Sequence, residues 1–486
     1  MGHFRQNEDG GCLMLIGRKE EKKILQEALE KDESQFIAIY GRRRVGKTYL
    51  AKEFFHDGFT FSCAGVYKGK LEDQLEVFSQ KLDYYGLKGF EKPKKWMDAF
   101  YLLVKLVDRS KEKKKVIFLD ELSWFNTRNS GFLKALENLW NSYFALRNDI
   151  VLIVCASATS WLIDNVIHNK GGLHNRLTAQ INLQPFSLGE VEELVEYQEL
   201  PLNRKQIIEG YIALGGIPYY WGLLRKDLSL PGNIDFLFAG NEAPLRDENE
   251  YLYRSLFDCP EDYLSIVSAL SKGKRSGMTR DELLKATKLA DNGNFSKRIT
   301  DLENCGIVRS YLQITNHQNK IIQLMDNFTL FYYKMVKGKT LDEHFFSSSI
   351  GSGEYNAWSG LAFERVCLQH AKQIKYALQI GGVKSTLQSL YCKEDPEKGI
   401  YGSQIDLLIV RKDEVINLCE MKFSAKPYIV SKEDLEKMEI RKSDLKAVVG
   451  DDYSIIPTLV VFPSLYDSAN AREFSSVVTG EDLFLK

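Results

Sequence analysis

Several features that would mark a particular kind of protein are missing from this chain. Its eight cysteines, Cys12, Cys63, Cys155, Cys259, Cys305, Cys367, Cys392 and Cys419, include no Cys-x-x-Cys pair. Neither a zinc-binding nor a dithiol redox motif is therefore written into it. Scattered thiols in a large chain fit a reducing compartment, and a cytoplasmic location is expected. Long apolar runs are also missing. Met1–Gly11 is polar and lacks the apolar stretch of a secretory signal. The longest run, Val151 to Ile163, is interrupted by Ser157, Thr159 and Ser160 and is too short to span a bilayer. No membrane partner is expected. The formal net charge is only −1, so any preference for nucleic acid must be local. No internal repeat is visible.

What is present is ordinary globular material, 44% hydrophobic and 27% charged over 486 residues. At roughly 100–200 residues per domain, that length suggests about three domains. An amphipathic helix with Ile24, Leu25, Ala28 and Leu29 on one face follows Ile16-Gly17-Arg18. Phe36–Tyr40, Val116–Leu119 and Ile150–Ala156 are short apolar runs that predict buried strands, with helical segments between them. Strands alternating with helices predict a parallel α/β sheet. Past Pro185 the strand signal fades into short helices with a break at Gly215-Gly216-Ile217-Pro218.

Gly41-Arg42-Arg43-Arg44-Val45-Gly46-Lys47-Thr48 matches the pattern G-x-x-x-x-G-K-S/T in full. It lies between a predicted strand and a predicted helix, the context this motif requires. Glycines let such a loop wrap closely, so that successive backbone N–H groups point at phosphate oxygens. The helix that starts there favours an anion at its N-terminus. Lys47 would reach the β- and γ-phosphates, and the Thr48 hydroxyl would hold Mg²⁺. Arg42, Arg43 and Arg44 add positive charge near the phosphates or point to solvent. ATP and Mg²⁺ are the expected cofactors.

Val116–Leu119 runs into Asp120-Glu121, an apolar strand ending in two carboxylates. Downstream of a phosphate loop this matches a Walker B element. Asp120 would bind Mg²⁺ and Glu121 would polarise the attacking water. Two weaker candidates follow. Ser157, just past the third strand, either contacts the γ-phosphate or the water, or satisfies a strand end. Arg176 either stabilises transition-state charge or is a surface arginine. In the first case it acts on its own site or on that of a neighbouring copy, so a homo-oligomer is among the expected partners.

Residues 13–250 resemble the archaeal-type ATPases, a branch of the STAND and AAA-like P-loop proteins. The resemblance is carried by Ile16-Gly17-Arg18, the loop Gly41–Thr48, Phe118-Leu119-Asp120-Glu121, Ser157-Ala158-Thr159-Ser160-Trp161 and Gly215-Gly216-Ile217-Pro218. In such proteins the Gly-x-Pro turn lies in a helical lid near the adenine, which implies a similar place for Pro218. The alternative is a helix-breaking turn that needs no ligand. The family also carries a winged helix and a C-terminal nuclease-like domain.

Two further segments bear on that implication. Residues 260–339 read as helix, helix, helix and hairpin, with Thr279 capping the second helix, which is the order of a winged helix. They hold thirteen Lys or Arg against eight acids, an excess of five, the footprint expected for phosphate contacts on DNA. Asn294, Ser296, Lys297 and Arg298 would lie on the recognition helix; alternatively, this is a solvated face on a spacer. Further on, Gln404-Ile405-Asp406 opens an apolar strand, Glu420-Met421-Lys422 closes another, and Glu364 lies on a preceding helix. This resembles the PD-(D/E)xK nucleases, with Ile405 where the motif's name has proline. Glu420 and Lys422 share a strand face. A neighbouring strand would bring Asp406 alongside, so that the carboxylates hold Mg²⁺. Glu364 would complete the metal shell, Lys422 would orient or deprotonate the water, and Gln404 would contact phosphate.

The expected organisation is a flexible tail (1–12), a P-loop ATPase core (13–186), a helical lid (187–256), a winged helix (257–340), a serine-rich linker (341–356) and an α/β restriction-endonuclease-like domain (357–486). Two functions from different classes follow. One is an ATPase controlling a Mg²⁺-dependent nuclease on DNA. The other is an ATP-dependent switch whose C-terminal domain binds DNA or protein without cleaving.

Overall fold

The computed structural model describes residues 15–169, 171–273, 277–314 and 316–485. The expected tail 1–12 and the basic residues Lys274 and Arg275 lie outside the described residues. The chain divides into two compact units, one ending at Gln184 and the other starting at Pro185.

The first unit runs α1 (Lys19–Glu30), β1 (Gln35–Tyr40), α2 (Lys47–Phe54), β2 (Phe61–Ala64), α3 (Leu71–Tyr84), α4 (Trp96–Arg109), β3 (Lys115–Asp120), α5 (Leu122–Phe125), α6 (Phe132–Leu139), β4 (Ile150–Ala156), α7 (Thr159–Leu162) and β5 (Ala179–Asn182). The strands form one parallel sheet in the order β2-β3-β4-β1-β5. A parallel sheet is covered on both faces and reads as continuous apolar runs. Accordingly β3 and β4 are buried at every position. Trp96, Phe78, Phe100, Phe125 and Phe132 fill the core between α3, α4 and α6. The sheet order matters for function, because β4 lies between β1 and β3. Whatever follows β4 therefore sits between the loop after β1 and the acids after β3, at the carboxyl ends where α/β sheets bind ligands.

The second unit begins with helices α8 (Leu188–Tyr197), α9 (Arg204–Leu214), α10 (Pro218–Trp221), α11 (Leu230–Phe238) and α12 (Glu248–Leu256). It continues with α13 (Pro260–Lys272), β6 (Met278–Thr279), α14 (Arg280–Thr287), α15 (Gly293–Asn304), β7 (Val308–Gln313), β8 (Asn316–Leu324) and α16 (Asn327–Phe331). Then come α17 (Gly353–Gln369), α18 (Ala371–Ala377), β9 (Ser385–Tyr391), β10 (Gln404–Arg411), β11 (Val415–Phe423), α19 (Lys432–Val449), β12 (Ser454–Phe462) and β13 (Ser476–Thr479). Thr279 caps α14 by accepting from the Glu282 N–H, and the Glu282 side chain returns the bond.

The eight strands of this unit form one mixed sheet, β13-β12-β11-β10-β9-β7-β8-β6. The join is between β7 and β9, at Gln313 and Ser389, with the Ile314 N–H donating to the Ser389 carbonyl at 3.0 Å. The Arg365 Nε of α17 donates to the Leu324 carbonyl at the end of β8, at 2.9 Å. The helix–hairpin segment and the C-terminal strands are thus one body. The serine-rich stretch expected as a linker is a 3-10 turn, Ser347–Ser349. Buried Asp235 of α11 holds it, accepting from the Phe346 N–H at 2.7 Å and from the Ser347 hydroxyl. Among the described residues no helix is long and apolar enough to cross a membrane, and the cysteines are free thiols.

Candidate functional site

The phosphate loop joins β1 to α2 through two left-handed glycines, Gly41 at φ 140° and Gly46 at φ 96°. A Cβ on Gly41 would stand 2.3 Å from the Leu183 carbonyl oxygen, so that position admits glycine alone. Val45 is fully buried and pins the loop from below. Arg42 is buried, Arg44 half-buried and Arg43 exposed, so the three arginines split between the interior and solvent. Lys47 opens α2 and is 5% exposed. Its ammonium donates to the carbonyls of Gly41 at 2.8 Å and Arg42 at 2.9 Å, across the mouth of the loop.

Thr48 and Asp120 meet directly, the hydroxyl donating to Oδ2 at 2.7 Å. A hydroxyl and a carboxylate in contact below a phosphate loop are the hard oxygen donors that Mg²⁺ takes, so the residues fit that ion. Asp120 also accepts from the Glu121 N–H at 2.9 Å. Burial drives the Cys155 thiol well above its ordinary pKa, with Asp120 adding to the effect. It therefore stays neutral beside the carboxylate.

Ser157 grips Glu121 twice. Its hydroxyl donates to Oε1 at 2.6 Å and its N–H to Oε2 at 3.0 Å. This follows from the sheet order, since β4 ends beside β3. Neither sequence alternative for Ser157 named this contact with the candidate base. Arg176 lies exposed on the segment before β5. Pro218 starts the short helix α10 of the second unit, where Gly216 packs against the Phe186 carbonyl.

One residue was given no role in the sequence reading. Arg18, 4% exposed, donates to the Val45 carbonyl at 2.9 Å and to the Gln184 carbonyl at 2.7 Å. It ties the loop to the end of the strand layer. Its sequence signal is Ile16-Gly17-Arg18, a cation next to a glycine immediately before a helix.

In the second unit the acids are placed differently from expectation. Glu364 is buried on α17 with the Arg365 guanidinium 3.9 Å away. On β10, Ile405 pairs with Leu390 and Leu408 with Gln388, with a register shift between them. That bulge lets both Ile405 and Leu408 stay in the core under α19, which turns Asp406 to the other side. There Asp406 accepts from the Gln404 amide at 2.8 Å. Burial lowers the Arg309 pKa to about 10, and Asp406 is among the charges opposing that.

Glu420 and Lys422, by contrast, alternate with the core residues Ile416 and Leu418 and point toward α19. Lys422 Nζ stands 3.1 Å from Glu420 and 3.0 Å from Asp434, while Arg441 takes the other Glu420 oxygen. The expectation that a neighbouring strand lays Asp406 beside Glu420 is thus corrected, and the bulge is the reason. Among the described residues no group of three or more His, Cys, Asp or Glu side chains is arranged to hold a metal. Glu364, Asp406 and Glu420 do not fit a shared Mg²⁺ as they stand. Burial works against the Lys422 ammonium, but Glu420 and Asp434 outweigh it and hold its pKa above the ordinary lysine value. On α15, Asn294, Ser296 and Lys297 are exposed, whereas Arg298 is engaged by Asp262 of α13 at 2.5 Å.

A parallel sheet with a phosphate loop after one strand and an Asp-Glu pair after another defines a P-loop ATPase domain of α/β class. Residues 15–224 match the model of an ATPase domain found predominantly in Archaea. An uncharacterized protein of Methanocaldococcus jannaschii is 24% identical over 357 residues, covering 73% of this chain and 76% of that one. A short uncharacterized ATP-binding protein of the same organism is 43% identical over 47 residues, 10% of this chain and 80% of its own length. Among solved structures, the chain is similar to the Walker-type ATPase of Pyrococcus abyssi, with a TM-score of 0.46 and 17% identity, over 66% of this chain and 96% of that one.

Proposed function

We propose that the chain is an ATP-driven switch that hydrolyses Mg-ATP in its first unit and acts on DNA through its second. The carrying observation is the pair of contacts Thr48–Asp120 and Ser157–Glu121 at the ends of adjacent strands, below the phosphate loop. The amides of Gly41–Thr48 cradle the phosphates, and the Lys47 ammonium exchanges its two carbonyl partners for phosphate oxygens. Thr48 and Asp120 would hold Mg²⁺, which would offset negative charge on the bound phosphates. Glu121, oriented by Ser157, takes a proton from the attacking water. Arg176, exposed, remains a candidate for transition-state charge on this site or that of a second copy.

DNA contact is supported by the arrangement of α13, α14 and α15 with the antiparallel strands β6, β8 and β7. This order is that of a winged helix, and α15 exposes Asn294, Ser296 and Lys297. A second reading, cleavage by a PD-(D/E)xK-like site, is supported by a buried helix acid followed by an antiparallel hairpin that carries Asp406, Glu420 and Lys422. The ion pairs on Glu420 favour binding without cleavage.

Replacing Lys47 with Ala removes the phosphate-binding ammonium and should abolish ATP turnover while circular dichroism stays native; retained turnover would sink the assignment. The same preparations, incubated with DNA and Mg²⁺ or Mn²⁺ and run on a gel, separate the two readings. Divalent-dependent cleavage lost in Asp406→Ala, with ATP turnover kept, would restore the nuclease.

A further inference from the structure

On β11, positions two apart present Glu420 and Lys422 on one face. On α19, positions seven apart, two helical turns, present Asp434 and Arg441 on one face. The two faces meet as a chain of alternating charges. Asp434 accepts from Lys422, Lys422 touches Glu420, and Glu420 accepts from Arg441. Burial opposes the Asp434 charge, but Ser431, Lys422 and Tyr428 donate to it and hold its pKa at about 2. None of the four side chains is more than 24% exposed. Ion pairs shielded to this degree are less screened than surface pairs and are costly to break one-sidedly.

We propose that Arg441 bars divalent cations from Glu420. Both Glu420 oxygens are taken, Oε1 by the ammonium and Oε2 by the guanidinium. A dication entering there would have to shed water, which Mg²⁺ does reluctantly, and would stand beside two positive charges already in contact with its ligand. The guanidinium supplies the charge that a metal would otherwise bring. Asp406 does not relieve the conflict, because the β10 bulge turns it to the other side of the sheet. The inference rests on the proposed function only in treating this hairpin as a candidate site.

The test is Mn²⁺ titration of the nucleotide-free full chain, read by electron paramagnetic resonance. The parent and Glu420→Gln should give the same curve. Arg441→Met, which keeps an apolar stem, should gain a saturable site, and the double variant Arg441→Met with Glu420→Gln should lose it. Parent binding that depends on Glu420 would overturn the proposal, as would a natively folded Arg441→Met that gains nothing. If Arg441→Met does not fold, Arg441→Gln and the parent–Glu420→Gln comparison decide the matter. Failure of all variants to associate with DNA, with the metal result as expected, would count against the DNA reading and leave this inference standing.

Discussion

Glu121 adopts φ 48°, ψ 51°, a left-handed conformation that costs a non-glycine residue roughly 1–3 kcal/mol. The two hydrogen bonds from Ser157 are what that conformation gains, since it brings the carboxylate back over the end of β4. Ser157→Ala removes the hydroxyl donor and keeps the N–H. Turnover should fall by about tenfold to a hundredfold with nucleotide affinity little changed, because the lost contact orients the base and not the phosphates. Separate measurement of kcat and nucleotide Kd checks this, and a fall in affinity alone would contradict it. The motif residues were legible because a short spacing, G-x-x-x-x-G-K-S/T, carries a whole backbone geometry with it. The Ser157–Glu121 contact was not legible, since thirty-six residues separate the two and only the insertion of β4 beside β3 brings them together.

At the scale of elements, the loop after β1 is held as much by Arg18 as by its own glycines. Arg18 donates charge-assisted bonds to two main-chain carbonyls in a buried place, and such bonds are worth about 1.5–3 kcal/mol each. Arg18→Ala should lower the stability of the first unit by roughly 3 kcal/mol and weaken nucleotide binding as the loop loosens. Thermal melting with and without ATP and Mg²⁺ measures both. A second element junction responds to pH. His370 at the end of α17 donates through Nδ1 to the Val366 carbonyl at 2.8 Å and accepts the Leu188 N–H of α8 through Nε2 at 2.9 Å. Burial pushes its pKa down to about 4 from an ordinary 6.5, so the folded protein keeps the ring neutral where the unfolded chain would protonate it. The stability this gives is complete above about pH 6.5. It is lost as the pH falls toward 4, on the order of 3 kcal/mol in all. Melting temperatures from pH 7 to 4 should fall more steeply for the parent than for His370→Gln; parallel curves would remove His370 from the account. Elements were legible where burial is two-sided, as in β1, β3 and β4. The strands β2 and β5, four residues each and partly exposed, have no comparable apolar run to mark them.

Over the whole molecule the charges nearly cancel, so DNA association, if it proceeds through α15, should be local and sensitive to salt. Lys297 is 57% exposed, with Asp301 3.6 Å away. Lys297→Ala should weaken DNA binding about equally for all sequences and reduce the slope of log affinity against log salt by roughly one. A fluorescence-anisotropy salt titration reads this, and an unchanged slope would take Lys297 off the interface. By itself the sequence determined the first unit's class and chemistry. Apolar runs alternating with helices specify a parallel sheet, and the glycine-lysine-threonine loop and the Asp-Glu strand end specify a nucleotide site, because each is a local pattern whose geometry comes with its spacing. Tertiary structure alone decided what lies sideways across strands. The pairing of β7 with β9 joins the hairpin strands and the C-terminal strands in one sheet. The register shift in β10 separates Asp406 from Glu420, and α19 answers Glu420 with Arg441. Lateral pairing and bulge position depend on which core residues win burial from far along the chain, and no short spacing records that contest.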